Sequence, residues 1–108
     1  MTQEQELILL GLKERLSKSL SSNSFALLYG SQARGDFHEG SDWDVLVVVD
    51  KEHVSIAENA EITYPLIMFG WQNGVEINPI LYTLNEWNSY KNTPFYENVI
   101  KDGHKIAG

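Results

Sequence analysis

Apolar positions recur in steps of three and four from Gln3 to about Leu20, at Leu9, Leu12, Leu16 and Leu20, which predicts an amphipathic helix. Ser21, Ser22 and Asn23 end it. Phe25-Ala26-Leu27-Leu28-Tyr29 is an apolar run of strand length that stops at Gly30-Ser31. A polar loop from Gln32 to Ser41 leads to a second strand, Asp42 to Val49. Its tail, Val45-Leu46-Val47-Val48-Val49, is apolar on both faces and should be central and covered. The segment from His53 to about Gln72 reads as helix, with Pro65 expected to kink or split it. Asn73-Gly74 marks a turn, and Val75 to Thr83 reads as a third strand in which Pro79 suggests a bulge or an edge. Two short helices should follow. Thr83-Leu84-Asn85-Glu86 has capping-box spacing, Thr93-Pro94 places proline at a first helical position, and Gly103 lies where a helix ends. The expected fold is a single α/β (α+β) domain over residues 1–108, a small mixed sheet of three or more strands flanked by helices.

Composition narrows the function classes. At 108 residues the chain has room for one core of ordinary size. It holds no apolar run near 20 residues, so no membrane span is expected, and its start is not a basic-then-apolar leader. The absence of cysteine excludes disulfides and thiolate metal sites and fits a cytoplasmic protein. Lys and Arg total 8 against 15 Asp and Glu, a net charge of -7, which argues against gripping nucleic acid by its phosphates. An acidic chain can still bind a nucleoside triphosphate if divalent cations sit between the two sets of negative charge.

The chemistry concentrates in Gly30-Ser31-Gln32-Ala33-Arg34-Gly35 and Asp42-Trp43-Asp44. Side chains alternate along a strand, so Asp42 and Asp44 share a face, roughly 6.6 Å apart along it. Two acids so placed repel unless something positive lies between them, and magnesium suits oxygen ligands. Gly30 allows close backbone approach to a ligand, and Ser31 with the N–H groups after it could cradle a phosphate. Arg34 could pair with a phosphate, or with Asp36 in a surface ion pair. Glu76, between Val75 and Ile77, is costly in a covered strand unless paired or metal-bound, or it faces solvent on an edge. If its strand neighbours the second, it could be a metal ligand or a general base. His38, His53 and His104 have no ligand spacing and read as surface residues; the late aromatics, such as Tyr82 and Trp87, read as core.

Gly30-Ser31 through Gly35, followed by Ser41-Asp42-Trp43-Asp44-Val45-Leu46-Val47, resembles the DNA-polymerase-beta-like nucleotidyltransferase superfamily, and the chain's size resembles its minimal single-lobe members. The resemblance implies that Gly30 and Ser31 hold a nucleoside triphosphate, with ATP the expected one, and that Asp42, Asp44 and Glu76 bind two magnesium ions. It implies in-line transfer of a nucleoside monophosphate to a hydroxyl of a protein or small-molecule acceptor. It also implies a partner: a small helical toxin for which the chain is the antitoxin, or a second copy of the chain. A catalytically idle module that neutralises its partner by contact is the alternative. The family often carries aspartate where this chain has Glu76.

Overall fold

The computed structural model describes residues 1–36 and 40–108, so His38 lies outside the described residues. Helix α1 (Gln3–Ser19) is opened by Thr2 and Gln5 in a reciprocal capping box and buries Ile8, Leu12 and Leu16. Strand β1 (Phe25–Tyr29) leads to the short helix α2 (Ser31–Arg34) and then to β2 (Trp43–Val49). Helix α3 (Ile56–Gln72) precedes β3 (Ile77–Thr83), and two short helices, α4 (Leu84–Ser89) and α5 (Pro94–Asp102), precede β4 (His104–Ala107). The sheet runs β3-β2-β1-β4, with β2 antiparallel to β1, parallel to β3, and β1 antiparallel to β4. The mixed sheet flanked by helices expected from the pattern is therefore present, and β2 is central, as its two apolar faces require.

Each face of the sheet has its own core. Trp43, Val45, Val47 and Val49 of β2 join Leu12 and Leu16 of α1 and Leu66 and Phe69 of α3 on one face. Leu46 and Val48 meet Trp87 of α4 and Val99 of α5 on the other. Trp87 is ringed by aromatics, with Tyr96 at 4.6 Å and Phe95 edge-on at 6.1 Å between centroids. Among the described residues no helix is long and apolar enough to cross a membrane.

Several boundaries differ from the sequence reading. Helix α3 begins at Ile56, because Ser55 caps Glu58 N–H and Glu58 answers the Ser55 N–H. Pro65 lies inside α3 as one continuous element. Pro65 and Glu61 are both exposed, so water can meet the carbonyl that proline leaves without a donor. Pro79 sits on an edge strand, opposite Val45. Strand β4 escapes the pattern because its four residues, His104-Lys105-Ile106-Ala107, carry only one buried side chain, Ile106.

Helices α1 and α3 cross where α1 has Gly11. The Phe69 ring occupies the space a Gly11 side chain would take, and the Arg15 guanidinium lies 4.0 Å over the same ring. In an isolated helix Gly11→Ala would stabilise by about 1 kcal/mol. Here it forces Phe69 out of a packed site, an overpacking cost of about 1–3 kcal/mol. Gly11→Ala is expected to lower the melting temperature by several degrees, measured by thermal unfolding.

Candidate active site

Strand β1 delivers its last residue, Tyr29, opposite Asp44 of β2, and β3 places Asn78 on the other side of Asp44. Tyr29, Asp44 and Asn78 thus form one row across the sheet, at the end where the chain leaves β1 for α2. Asp42, two residues before Asp44, accepts a hydrogen bond from Asn78 Nδ2 at 2.9 Å. Asp42 and Asp44 are thus gathered around one amide: Asn78 donates to Asp42 and is the cross-strand neighbour of Asp44.

Gly30 joins this row to α2. It has φ +76° and ψ -161°, a conformation open to glycine but strained for other residues. A Cβ there would run into Asp44 Oδ2. The missing side chain is what lets the backbone before Ser31 lie against the Asp44 carboxylate. The helical turn that follows closes with Ala33 and Arg34 N–H donating to Gly30 O at 3.1 and 3.0 Å. The N–H groups of the first residues of a helix have no partner within it, so this turn presents donors beside the aspartates. Ser31, half-buried, is the first residue of that turn.

Burial, and then the neighbouring Asp42 charge, raise the Asp44 pKa above the usual carboxylate range; the Asn78 hydrogen bond and the Arg34 charge partly offset them. The half-buried Tyr29 phenol is pushed up to about 12, by burial first and then by Asp44 and Tyr82. Both shifts mark a partly covered site, and the neighbouring carboxylates add to the effect of burial.

The remaining expected residues are placed differently. Arg34 is bound twice, by Asp36 at 3.1 Å through Nε and by Asp102 of α5 at 3.2 Å through Nη1. To meet a phosphate it would have to leave these partners. Glu76 is exposed, one residue ahead of β3, and its carbonyl accepts from Trp43 N–H at 2.9 Å. It borders a cleft between the start of α1 and the α3–β3 turn whose lining includes neither Asp42 nor Asp44. Among the described residues, no group of three His, Cys, Asp or Glu side chains is placed to hold a metal ion. Asp42 and Asp44 are brought together, with Asn78 as their neighbour in place of a third acid.

Sequence reasoning missed three supporting groups. Asn78 was findable: it lies two residues beyond Glu76, and the same alternation that pairs Asp42 with Asp44 puts it on a common face. Gln32 is buried in α2; it accepts from Gln5 Nε2 at 3.0 Å and donates to Ser41 O at 3.2 Å. His104 of β4 reaches Ala33 O at 3.1 Å through Nε2. Neither long-range contact leaves a mark in local spacing.

Comparisons with known proteins show the family. A sequence model described as "Nucleotidyltransferase domain" matches residues 9–104. The chain is 35% identical over 80 residues to "Putative protein adenylyltransferase MJ0604" of Methanocaldococcus jannaschii, an alignment covering 74% of each chain. It is 35% identical over 71 residues to "Putative protein adenylyltransferase MJ0141" of the same organism, covering 66% of this chain and 64% of that relative. A solved structure described as "Crystal structure of the toxin-antitoxin with AMP-PNP" shares the fold, with a TM-score of 0.61 and 18% identity over 99% of this chain and 74% of that one. The Gly30–Ser31 turn against paired aspartates, within a domain match that spans nearly the whole sequence, places this chain in the nucleotidyltransferase family.

Proposed function

We propose that the chain is a magnesium-dependent nucleotidyltransferase that moves AMP from ATP to a hydroxyl of an acceptor, most readily a protein. The observation that carries this reading is the close approach of the Gly30–Ser31 turn to the Asp42/Asp44 pair. The names of the two Methanocaldococcus relatives support a protein acceptor, and that of the fold neighbour supports an antitoxin acting on a toxin.

The donor set fits one hard divalent cation. Two carboxylates on one face, the inner one with its pKa raised by burial and by its neighbour, carry the uncompensated charge that such an ion relieves. When bound, magnesium would supply charge neutralisation between these carboxylates and the triphosphate oxygens. The two-ion arrangement implied by the family resemblance lacks a third adjacent carboxylate among the described residues, so the proposal requires one ion at the pair.

The residues then divide the work. The Gly30–Ser31 turn binds the outer phosphates. Asp42 and Asp44, with Asn78 beside them, would hold the cation, which would supply charge neutralisation at the α-phosphate. The acceptor oxygen bonds to the α-phosphorus as the bond from that phosphorus to its bridging oxygen breaks, and pyrophosphate leaves. The acceptor's proton passes to water, because Glu76 borders a separate cleft and is not placed to take it. Arg34 reaches the phosphates only by exchanging its carboxylate partners. The idle-module alternative is favoured by one feature, the amide Asn78 where a third acid would complete the set.

With labelled ATP, magnesium and the acceptor protein, the wild-type chain is expected to transfer label, and Asp42→Asn with Asp44→Asn to lower the rate about a thousandfold. Wild-type transfer by the double variant contradicts the reading. Gly30→Ala combines a positive φ with a collision on Asp44, and is expected to weaken ATP binding together with stability, followed by titration calorimetry and thermal unfolding. Asp44→Asn is expected to raise the melting temperature of the free protein at neutral pH by a few degrees while activity is lost. The sign follows from linkage. A carboxyl whose pKa is raised on folding destabilises the fold above that pKa, so the gain from Asp44→Asn should shrink as pH falls through the carboxylate range.

A further inference from the structure

A cleft opens on the side of the sheet away from Asp44. Asp44 stands opposite Tyr29 in the β1–β2 pair, two residues before Leu46, so it belongs to the face covered by α4 and α5. Leu28 and Ile106 belong to the core on the other face, and both line the cleft. Helix α1 adds Leu9 and Lys13, four residues apart on one helix face. Helix α2 adds Ala33 and Arg34, and β4 adds His104 and Lys105. The cleft holds about 670 Å³, within the range of roughly 300–1,000 Å³ of small-molecule sites.

Its charge runs against that of the chain. Asp and Glu outnumber Lys and Arg by 15 to 8, yet among the described residues no acid lines this cleft, while three basic side chains do. Arg34 is already held by Asp36 and Asp102. Lys13 and Lys105 are exposed and, among the described residues, stand in no ion pair. An acidic protein repels anions at long range, and a cleft with two unpaired ammonium groups and no carboxylate reverses that repulsion locally. His104 meets the Ala33 carbonyl at 3.1 Å and so ties β4 to α2 along the same lining.

We propose that this cleft binds a small organic anion with an apolar body, a carboxylate or a phosphate monoester. The anionic head meets the charge of Lys13 and Lys105, and the hydrocarbon part covers Leu9, Ala33 and Ile106. Two ammonium groups match one such head, whereas a triphosphate carries more charge than they neutralise. Inorganic phosphate would leave the apolar lining wet. Both lysines are exposed, so the pairing is screened, and the affinity for a simple ligand is in the millimolar range. The occupant touches the reverse of the α2 turn whose front meets Asp44. Its arrival is therefore visible at α2 whether or not the chain transfers nucleotides.

Titration of the isotope-labelled full chain, followed through backbone amide resonances, tests this with 4-phenylbutyrate, octanoate and phenyl phosphate as probes. At least one is expected to saturate below about 20 mM, with shifts centred on Leu9, Lys13, Ala33 and Ile106. The neutral 4-phenylbutyramide, which keeps the body and loses the charge, should bind at least fivefold more weakly than the acid. Acetate, which keeps the charge and loses the body, should do the same. Lys13→Gln combined with Lys105→Gln should weaken the acid at least fivefold with an otherwise unchanged amide spectrum. Lys51→Gln, a lysine paired with Glu58 and absent from the cleft, should leave it unaltered. No saturation by any of the three probes, shifts centred outside the cleft, an amide that binds as well as its acid, or a double variant that binds like the wild type overturns the proposal.

Discussion

A missing side chain holds the site together. Because Gly30 has no Cβ, the chain can turn at positive φ directly against Asp44, and the first turn of α2 opens beside a carboxylate that is already crowded by Asp42. The free protein pays for this arrangement in electrostatic repulsion. The Asn78 amide relieves part of it by donating to Asp42 and supporting Asp44, and Arg34 adds a favourable charge. What is left is a local excess of negative charge in a partly covered place. On the proposed function, this charge is what a divalent cation and the triphosphate would relieve together.

The rest of the fold keeps that turn from drifting. Three contacts remote in sequence meet on the four-residue helix α2. Gln5, itself locked in the α1 capping box, donates to Gln32, which donates in turn to the Ser41 carbonyl just before Asp42. His104 on β4 contacts the Ala33 carbonyl, and Asp102 at the end of α5 binds Arg34. A helix this short has little stability of its own. Its position is set by α1, by α5 and by the strand that closes the sheet. Of these links the Gln5–Gln32 bond is buried and the Gln32–Ser41 bond half-buried, where a lost partner is expensive, whereas the His104–Ala33 and Arg34–Asp102 contacts are exposed and add little stability.

Much of this could be read along the chain. The apolar runs of β1 and β2 and the leucine spacing of α1 are strong because burial enforces their periods. The capping boxes at Thr83 and the proline after Thr93 mark α4 and α5 because they satisfy backbone donors locally. Asp42 and Asp44 were legible as a pair because alternation in a strand is geometric. Less visible was whatever depends on register between strands. Whether Glu76 or Asn78 stands beside Asp44 is decided by the pairing of Trp43 with Ile77, which no local pattern encodes. Strand β4 was hidden for a similar reason: its four residues are strand only because β1 offers them an edge. Arg34 looked equally suited to a phosphate or to Asp36, and its second partner, Asp102, lies 68 residues away.

The central claim is that the Asp42/Asp44 pair and the Gly30–Ser31 turn together hold one cation and one triphosphate. Paramagnetic broadening of backbone amide resonances by manganese, added with a non-hydrolysable ATP analogue, locates that ion without relying on turnover. The account predicts broadening centred on Gly30, Ser31, Asp42 and Asp44 that appears at much lower manganese when the nucleotide is present. Broadening centred elsewhere, or the same weak pattern with and without nucleotide, would contradict it.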